Sequence, residues 1–273
     1  MTEQSGVAVL GATGSIGSSA LDVLRLHRDR YKVVGLTGWK RMAALKPLMR
    51  EFVPAQIAAE PESVSVIDTN FLEGCEGSCY LGGEEGLVAV ATHPDMDTVI
   101  AGVSGAAGLQ STLAAVEAGK RVLIANKEPL VMCGQLVRNA ASVSGACLMP
   151  IDSEHNAIFQ CLPPNLQQDV TSGRGIGSRS AGAGVSRITL TASGGPFLRT
   201  SAAAISDATP AQALAHPTWN MGPKISVDSA TLMNKGLELI EACSLFGLDE
   251  SQIDIIIHPQ SVLHSMVGLN DGS

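Results

Sequence analysis

Aromatic side chains are scarce in this sequence, which has 273 residues of which only 3% are aromatic. Basic residues are outnumbered as well, since 18 Lys and Arg stand against 26 Asp and Glu for a net charge of −8. Proteins bind single-stranded nucleic acids through aromatic stacking and nucleic acids in general through cationic surfaces. The composition therefore predicts no nucleic-acid partner, and any phosphate that binds belongs to a small molecule.

Long apolar runs and closely paired cysteines are also missing. No run of about 20 apolar residues is present to span a bilayer, and the polar residues 1–7 do not resemble a signal peptide. The 6 cysteines form no Cys-x-x-Cys pair, and we interpret them as packing residues. The sequence therefore predicts a cytoplasmic chain with no membrane partner.

Short apolar runs alternate with helical patterns in the first half of the chain, which is typical of a parallel α/β sheet. This alternation of short apolar runs and helical patterns changes near residue 150. We therefore expect an α/β fold in which residues 1–149 form a Rossmann-like domain and residues 150–273 form a second, α+β domain. The runs that we predict as strands of the first domain are residues 7–10, 33–36, 64–67, 87–91, 99–103 and 121–125.

The end of the chain is unusual. Residues 253–258 and 262–267 are predicted strands, and a turn signal at residues 270–273 leads to no further strand. We therefore expect the chain to be a fragment or a truncation of a longer protein.

A glycine-rich turn follows the first predicted strand. Residues 11–17 read Gly-Ala-Thr-Gly-Ser-Ile-Gly, and such glycines let the backbone approach a pyrophosphate at a helix N-terminus. The spacing differs from the stricter dinucleotide fingerprint, so a tight turn without a ligand stays an alternative. Lys40 and Arg41 stand where an NAD enzyme carries a carboxylate, which favours the 2′-phosphate of NADPH, although both could be ordinary surface charges.

Two carboxylates, Asp152 and Glu154, follow the apolar run at residues 148–151. On an extended segment, residues two apart face the same way, and both carboxylates could grip one hard cation. The alternative is ordinary helix capping by Asp152 and Ser153 with an acidic first turn.

A second polar cluster lies at residues 228–238. On a helix, Asn234, Lys235 and Glu238 share one face, with Ser229 near the N-terminal end. Asn, Lys and Ser are natural donors to phosphate, while Lys235 and Glu238 could also form a plain surface pair.

Two weaker patterns accompany these clusters. Ser193 precedes two glycines, a combination that can surround an anion or simply form a turn. Trp219 lies on a loop between Pro217 and Gly222, as a lid over a ligand does, although the ring could equally pack on the core.

The chain resembles the 1-deoxy-D-xylulose 5-phosphate reductoisomerase family in a series of motifs that occur in the same order from residue 6 to the last residue. The stretches that carry the resemblance include residues 11–17, 125–128, 151–160, 190–197 and 216–241. The resemblance implies an N-terminal NADPH domain, a catalytic domain that binds metal and sugar phosphate, and a C-terminal helical domain that is absent here. It also implies a cytoplasmic, homodimeric NADP-dependent oxidoreductase of isoprenoid biosynthesis. Such an enzyme uses NADPH and Mg²⁺ or Mn²⁺ to convert 1-deoxy-D-xylulose 5-phosphate to 2-C-methyl-D-erythritol 4-phosphate.

Roles for individual residues are implied by the same resemblance. The residues implied in catalysis, the first three of them as metal ligands, are Asp152, Glu154, Glu238 and Lys127. Those implied in binding the sugar phosphate are Ser153, Ser193, His216, Trp219, Ser229, Asn234 and Lys235. Those implied in binding NADPH are Thr13, Gly14, Ser15, Ile16, Gly38, Trp39, Lys40, Asn126 and Glu128.

Two other functions compete with this one. A semialdehyde dehydrogenase also uses a glycine-rich loop of this spacing, but it needs a nucleophilic cysteine, and Cys133 inside a helical pattern is a poor candidate. An inactive truncated fragment that binds NADPH without turnover is the alternative outside the enzyme class.

Overall fold

The structure is a computed structural model, and it describes residues 4–60, 75, 77–177, 184–219 and 221–273. The chain divides into two compact units, Met1–Ile151 with Thr171–Gly173, and Asp152–Val170 with Arg174–Ser273. The division falls two residues after the expected end of the first domain, and the return of residues 171–173 to the first unit was not expected.

Among the described residues, the first unit holds a seven-stranded sheet, which confirms the predicted α/β fold. Its strands are β1 (Ser5–Leu10), β2 (Tyr31–Thr37), β3 (Gln56–Ala59), β4 (Cys79–Gly82), β5 (Thr98–Ala101), β6 (Arg121–Ile124) and β7 (Cys147–Pro150). Every neighbouring pair runs parallel, in the order β4-β3-β2-β1-β5-β6-β7. The strand order reverses between β1 and β5, and open α/β sheets bind their ligands at the carboxyl ends of the strands at such a point.

Helices connect these strands. They are α1 (Ser15–Leu26), α2 (Met42–Phe52), α3 (Gly83–Thr92), α4 (Leu109–Glu117) and α5 (Glu128–Ser144), with a short 3-10 helix at Ala106–Gly108. The core of this unit is aliphatic, and strand β1 is buried from its second residue to its end. Burying each such Val or Leu stabilises the fold by about 1.5 to 3 kcal/mol.

The strand predicted at residues 87–91 is wrong, because this run lies within α3. Leu87, Val90 and Ala91 are buried on one face of that helix at the spacing i, i+3, i+4. A five-residue apolar run is too short for its period to distinguish a strand from a buried helix. The strand predicted at residues 64–67 lies outside the described residues.

The second unit combines helices with a smaller sheet. Its helices are α6 (Ser153–Cys161), α7 (Pro164–Thr171), α8 (Ala202–Ile205), α9 (Pro210–Leu214), α10 (Pro223–Ala230) and α11 (Met233–Phe246), and a 3-10 helix spans Glu250–Gln252. Its strands are β8 (Val185–Ala192), β9 (Ile253–Ile257) and β10 (Ser265–Leu269). Within the described part of this unit, β8 is the central strand, parallel to β9 and antiparallel to β10.

Two predictions for the second unit need correction. The helix expected across residues 228–238 is interrupted between α10 and α11, where Leu232 has a φ of 59°. The strand expected at residues 262–267 begins only at Ser265, because the backbone N–H groups of Val262 and Leu263 donate to the His258 ring instead of to a neighbouring strand. None of the helices in the described ranges has the length and apolar character that crossing a bilayer requires.

Candidate functional site

A cavity of about 350 Å³ opens at the carboxyl ends of β1, β2 and β5 in the first unit. The residues that line it are Gly11, Thr13, Gly14, Thr37, Gly38, Trp39, Lys40, Arg41, Leu87, Gly102, Val103, Ser104 and Ala107. Five of the residues expected to bind NADPH are therefore brought together here: Thr13, Gly14, Gly38, Trp39 and Lys40.

The turn after β1 has no room for side chains at two of its glycines. Gly11 has a φ of 76°, and a Cβ there would lie 2.6 Å from the carbonyl oxygen of Gly102. A Cβ at Gly17 would lie 2.4 Å from the carbonyl oxygen of Gly11. The Thr37 hydroxyl fixes the turn by accepting the Gly11 N–H at 2.8 Å. Gly14, the N-cap of α1, has no side chain to cap the helix, so the first N–H groups of α1 can serve an anion.

Lys40 and Arg41 are both exposed and both line this cavity. The Nζ atom of Lys40 lies 3.9 Å from Oε1 of Glu60, and the Lys40 side chain is 76% exposed. An exposed ion pair of this length contributes little to stability, so Lys40 can turn toward a phosphate at small cost.

The remaining residues expected to bind NADPH lie outside this lining. Ser15 and Ile16 begin α1, and Asn126 and Glu128 lie at the turn between β6 and α5. Asn126 is buried and its amide donates to the carbonyl oxygen of Gly105 at 2.9 Å. Lys127, between Asn126 and Glu128, is 7% exposed and precedes α5.

A second cavity, of about 340 Å³, lies in the second unit. The ten residues that we expected there as metal ligands or substrate contacts all line it: Asp152, Ser153, Glu154, Ser193, His216, Trp219, Ser229, Asn234, Lys235 and Glu238. These residues come from α6, the end of β8, the loop before α10, α10 itself and α11. Segments far apart in the chain thus build one polar cavity.

Three carboxylates converge in this cavity. Asp152, Glu154 and Glu238 each offer an oxygen, and these oxygens lie within 4.8 Å of one another. Asp152 is the N-cap of α6, where its Oδ1 accepts the Ser153 N–H at 2.9 Å, and Glu154 lies in the first turn of that helix. The expected extended segment is therefore wrong, and the capping interpretation describes Asp152. Capping occupies Oδ1 and still leaves the carboxylate in the cluster.

Lys235 sits among these carboxylates with its side chain 7% exposed. Its ammonium donates to Oε1 of Glu154 at 3.1 Å and also to Glu238, whose side chain is 1% exposed. The amide of Asn234 donates to the other oxygen of Glu238. The interpretation of Lys235 and Glu238 as a surface pair is therefore wrong, because both are buried. Three carboxylates and one ammonium leave a formal charge of −2 in the cluster.

Two buried residues beside the carboxylates, His155 and Glu241, were not among the site residues predicted from the sequence. The wholly buried His155 ring donates from Nε2 to the backbone carbonyl of Glu238 at 3.0 Å. Its Nδ1 lies 3.6 Å from Oε2 of Glu241 and 3.9 Å from Oδ2 of Asp152. These contacts join α6 to α11. Their sequence signal is the i+3 spacing from Asp152 to His155 and from Glu238 to Glu241.

A loop residue, His216, contacts the serine at the end of β8. The Nε2 atom of His216 lies 2.9 Å from the hydroxyl oxygen of Ser193. Its Nδ1 accepts the backbone N–H groups of Thr218 at 3.2 Å and Trp219 at 3.0 Å. Burial lowers the pKa of the His216 imidazole, which favours the neutral ring.

Trp219 is 45% exposed and lines this cavity rather than packing on the core. Its centroid is 6.3 Å from that of His264, and the two rings are tilted by 55°. The Trp219 loop thus meets the loop that precedes β10.

The carboxylate set fits a hard divalent cation by the chemistry of its donors. Mg²⁺ and Mn²⁺ favour carboxylate oxygens. Ligand oxygens of an octahedral Mg²⁺ site lie about 2.9 to 4.1 Å apart, as its metal–oxygen distances require. The three carboxylate oxygens lie within 4.8 Å of one another, which is close to this range.

None of the described cysteines lines either cavity. Burial is the main cause that raises the pKa of Cys243, and Cys133 lies at a kink inside α5. A catalytic cysteine needs a lowered pKa and a base beside it. The geometry therefore gives no support to a semialdehyde dehydrogenase.

Comparison with known proteins identifies the family. A family model described as 1-deoxy-D-xylulose 5-phosphate reductoisomerase matches residues 7–134, and one for the C-terminal domain of the same enzyme matches residues 148–246. The chain belongs to the 1-deoxy-D-xylulose 5-phosphate reductoisomerase family. This confirms the resemblance found in the sequence.

Relatives in this family are considerably longer than the chain. The chain is 52% identical over 268 residues to the 1-deoxy-D-xylulose 5-phosphate reductoisomerase of Psychrobacter sp. (strain PRwf-1), with 98% of this chain and 64% of that protein covered. For the enzyme of Stutzerimonas stutzeri (strain A1501), the identity is 54% over 269 residues, with 98% and 65% covered. The chain thus spans about 65% of the length of these relatives.

Solved structures of the family resemble the chain closely. One is a DOX-P reductoisomerase in complex with NADPH, fosmidomycin and magnesium, which is 49% identical with a TM-score of 0.93 and covers 98% of this chain and 65% of that one. Another is the enzyme from Zymomonas mobilis in complex with NADPH, which is 42% identical with a TM-score of 0.85 and covers 99% and 66%.

Several residues that line the two cavities were not predicted as site residues. In the first unit they include Gly102 and Ser104, which follow β5 directly. In the second unit they include Ser261 and His264, in the loop after β9. Their signal is the parallel pairing of strands, which brings the ends of β1 and β5, and of β8 and β9, to one edge of each sheet.

Proposed function

We propose that this chain carries the nucleotide-binding and catalytic residues of a 1-deoxy-D-xylulose 5-phosphate reductoisomerase. The reaction is the rearrangement and NADPH-dependent reduction of 1-deoxy-D-xylulose 5-phosphate to 2-C-methyl-D-erythritol 4-phosphate, with a divalent metal. The observation that carries this proposal is one cavity in which oxygens of three carboxylates lie within 4.8 Å of one another, beside Lys235, Asn234 and four serines.

Asp152, Glu154 and Glu238 would hold Mg²⁺ or Mn²⁺. When bound, such an ion supplies a Lewis acid that polarises substrate oxygens. Glu238 is buried, and the His155 ring holds its backbone in place by donating a hydrogen bond to the Glu238 carbonyl oxygen. Rigid ligands of this kind need little reorganisation during the reaction, because their orientation is set by the fold.

The phosphate of the substrate would be held by Ser193, Ser229, Asn234 and Lys235. An ammonium has three N–H donors, and Lys235 donates to two carboxylates, so it keeps a third donor for a phosphate oxygen. A phosphate distant from the reacting carbons serves as a handle, because its binding energy can orient the substrate and close a loop over it. Ser153 lies between two of the carboxylates in sequence and would contact the substrate oxygens.

NADPH would lie against the turn after β1, with the pyrophosphate at the N-terminus of α1 and the 2′-phosphate near Lys40 and Arg41. The tight packing of Gly11 and Gly17 supports close approach of a pyrophosphate to this backbone. Asn126 and Glu128 would complete the NADPH contacts, and Lys127 would act toward the substrate. The family structure that contains NADPH, fosmidomycin and magnesium supports both the cofactor and the metal.

Exclusion of water is the role that we propose for the loop of Trp219. The side chain is large and half exposed, and it lines the cavity of the second unit, so closure of its loop would cover the reacting carbons. We further propose that the protein works as a homodimer, which sedimentation of the chain would test.

The proposal is tested by following NADPH absorbance with 1-deoxy-D-xylulose 5-phosphate and Mg²⁺. We expect oxidation of NADPH only when substrate and metal are both present, and loss of turnover in Glu238→Gln. Glu250→Gln is the matched control, because Glu250 lies in the exposed 3-10 helix outside the cavity. Binding of NADPH by calorimetry without any oxidation would contradict the proposal for this chain and support the alternative of a binding fragment.

A further inference from the structure

A buried carboxylate, Glu241, lies one turn of α11 beyond Glu238. Its side chain is only 1% exposed, and the described residues that line the cavity of the second unit do not include Glu241 or His155. Burial of a carboxylate is unfavourable, and apolar residues of similar volume often make a core at least as stable. Stability alone therefore does not account for Glu241.

The His155 ring beside Glu241 is held on three sides. Its Nε2 carries a proton, because it donates at 3.0 Å to the backbone carbonyl oxygen of Glu238, which can only accept. Its Nδ1 faces Oε2 of Glu241 at 3.6 Å. The ring of Phe246 lies parallel to it, with 6.2 Å between the centroids and 6° between the planes. A flip of the ring would place carbon atoms opposite the carbonyl and the carboxylate, so Glu241 favours the observed orientation.

In this orientation, the ring contacts two of the three expected metal ligands. Nδ1 faces Oδ2 of Asp152 at 3.9 Å, while Oδ1 of Asp152 accepts the backbone N–H of Ser153 at 2.9 Å. Both oxygens of Asp152 therefore face groups that the fold holds in place. Through the Glu238 carbonyl, the same ring fixes the backbone from which the Glu238 side chain extends. One imidazole thus sets the separation between the start of α6 and the carboxylate-bearing turn of α11.

We propose that Glu241 is a positioning residue of the metal site, which acts through His155 by fixing the ring that holds Asp152 and Glu238 at their separation. The divalent cation itself rests on the proposed function, whereas the chain of contacts rests on the geometry of the ring. Groups that orient metal ligands in this way commonly contribute about tenfold to hundredfold in metal affinity. Glu241 has this effect without touching the cation.

Charge and reach at position 241 can be separated by two conservative substitutions. Glu241→Gln removes the charge and keeps the length of the side chain, and its amide can either accept from Nδ1 or donate to it. Glu241→Asp keeps the charge but is one methylene shorter, so its carboxylate withdraws from the ring. A residue that attracts the cation only by its charge acts at a distance, and Asp would then replace it better than Gln. A positioning residue needs the contact with the ring, so Gln replaces it better than Asp.

The test measures the affinity of the 273-residue chain for Mn²⁺ by electron paramagnetic resonance of the free ion. We expect Glu241→Asp to weaken binding by about tenfold or more, and Glu241→Gln to keep the affinity within about twofold. His155→Gln can donate to the Glu238 carbonyl but cannot also face Glu241, so it should weaken binding as well. In the His155→Gln background, Glu241→Asp should cause no further loss, because the two residues act as one unit.

Asp169→Asn is the matched control for a general loosening of the second unit. Asp169 is another buried carboxylate of this unit, and it contacts Arg174 at 3.0 Å. Its substitution should leave the Mn²⁺ affinity unchanged, because Asp169 does not contact His155 or the three carboxylates in the described structure.

NMR of the ¹⁵N-labelled, metal-free chain reports the ring directly. We expect a protonated Nε2 of His155 in the unsubstituted chain and in Glu241→Gln. In Glu241→Asp, the ring signals should split or broaden as the ring gains a second orientation. An unprotonated Nε2 in the unsubstituted chain would overturn the inference.

An Mn²⁺ affinity that survives in Glu241→Asp would also overturn the inference, because charge or neither property at position 241 would then matter. Losses that multiply when Glu241→Asp is combined with His155→Gln would overturn it too, since Glu241 would then act without the ring. If the unsubstituted chain binds no Mn²⁺, the metal ligands of the proposed function fail together with this inference. The other outcomes overturn the role of Glu241 alone and leave the three metal carboxylates in place.

Discussion

At the scale of single residues, the buried Lys235 offsets part of the repulsion between the carboxylates that line the cavity of the second unit. Two like charges 4 Å apart repel by about 4 kcal/mol at an effective dielectric constant of 20. Asp152, Glu154 and Glu238 approach one another within 4.8 Å, and the ammonium of Lys235 contacts two of them. The lysine relieves part of the repulsion and leaves a negative cluster that still attracts a divalent cation. Stability and proposed function therefore share the same four side chains.

We propose that Lys40 and Arg41 determine the choice of cofactor, since they line the cavity at the ends of β1, β2 and β5 where an NAD enzyme carries a carboxylate. We predict that NADPH binds more tightly than NADH, and that Lys40→Ala combined with Arg41→Ala removes this preference. Hydrogen bonds to a charged group contribute about 1.5 to 3 kcal/mol, which is roughly one to two decades in affinity. Calorimetric titration with each nucleotide measures the difference, and NADH serves as the control because its affinity should hardly change. Equal dissociation constants for NADPH and NADH in the unsubstituted chain would show that neither residue reads the 2′-phosphate.

The pH dependence of the turn at residues 216–219, which Nδ1 of His216 closes, follows from the direction of the pKa shift of that ring. Burial lowers the pKa of His216 below its ordinary value of 6.5, so the folded state favours the neutral ring. The stability that the ring contributes is therefore complete above pH 6.5 and is lost as the pH falls through the lower pKa of the folded state. The titratable groups that line the same cavity are Asp152, Glu154, Lys235, Glu238 and His264.

We predict that the difference in unfolding free energy between the unsubstituted chain and His216→Gln is largest above pH 6.5 and narrows in acid. Urea unfolding at a series of pH values measures it, because Gln cannot be protonated in this range. A difference that widens as the pH falls would mean that the folded state favours the charged ring.

At the scale of elements, the sequence was most informative where a strand ends in glycine or a carboxylate. The parallel sheet and the turn at residues 11–17 were predicted from local signals, because strands and tight turns have them. The meeting of residues 152–154 with residue 238 was implied only by the family resemblance. The run at residues 87–91 was misassigned, since a short apolar run looks alike in a strand and in a buried helix. The break before α11 was missed because a positive φ at Leu232 has no signature in the sequence. Contacts such as that of His155 with the carbonyl of Glu238 depend on tertiary packing, which no local pattern encodes.

A glycine-to-alanine substitution should have opposite effects on stability in α1 and in α11, because the two glycines differ in the space around them. A Cβ at Gly17 would meet the Gly11 carbonyl oxygen at 2.4 Å, whereas a Cβ at Gly236 would have no described heavy atom within 4 Å apart from its chain neighbours and its own helix backbone. We predict that Gly17→Ala destabilises the fold by about 1 to 3 kcal/mol, as overpacking does, and weakens NADPH binding. Gly236→Ala, its matched control, should stabilise α11 by about 0.5 to 1 kcal/mol through helix propensity. Urea unfolding of both variants tests the pair, and a stabilising Gly17→Ala would show that the turn after β1 is not tightly packed.

At the scale of the whole molecule, the two cavities lie in different units. We call the cavity at the ends of β1, β2 and β5 the nucleotide cavity, and the cavity that Asp152, Glu154 and Glu238 line the carboxylate cavity. All lining residues of the nucleotide cavity belong to the first unit, and all those of the carboxylate cavity belong to the second. Perturbations at sites that share no side chains usually add independently, within about 0.3 to 0.5 kcal/mol. Binding of nucleotide and metal can therefore be dissected by variants that each affect one cavity.

We predict that Glu238→Gln weakens only the binding of Mn²⁺, and that Lys40→Ala combined with Arg41→Ala weakens only the binding of NADPH. Glu238→Gln should weaken Mn²⁺ binding by at least about tenfold, since even outer-shell partners of a metal site are worth that much. Its NADPH affinity should stay within about twofold of the unsubstituted chain. The variant at Lys40 and Arg41 should show the reverse, with weakened NADPH binding and ordinary Mn²⁺ binding. Electron paramagnetic resonance of free Mn²⁺ and calorimetry with NADPH measure the two affinities. Unchanged Mn²⁺ binding in Glu238→Gln would refute the assigned ligands, and a loss of both affinities in either variant would show that the two sites are coupled in spite of their separate side chains.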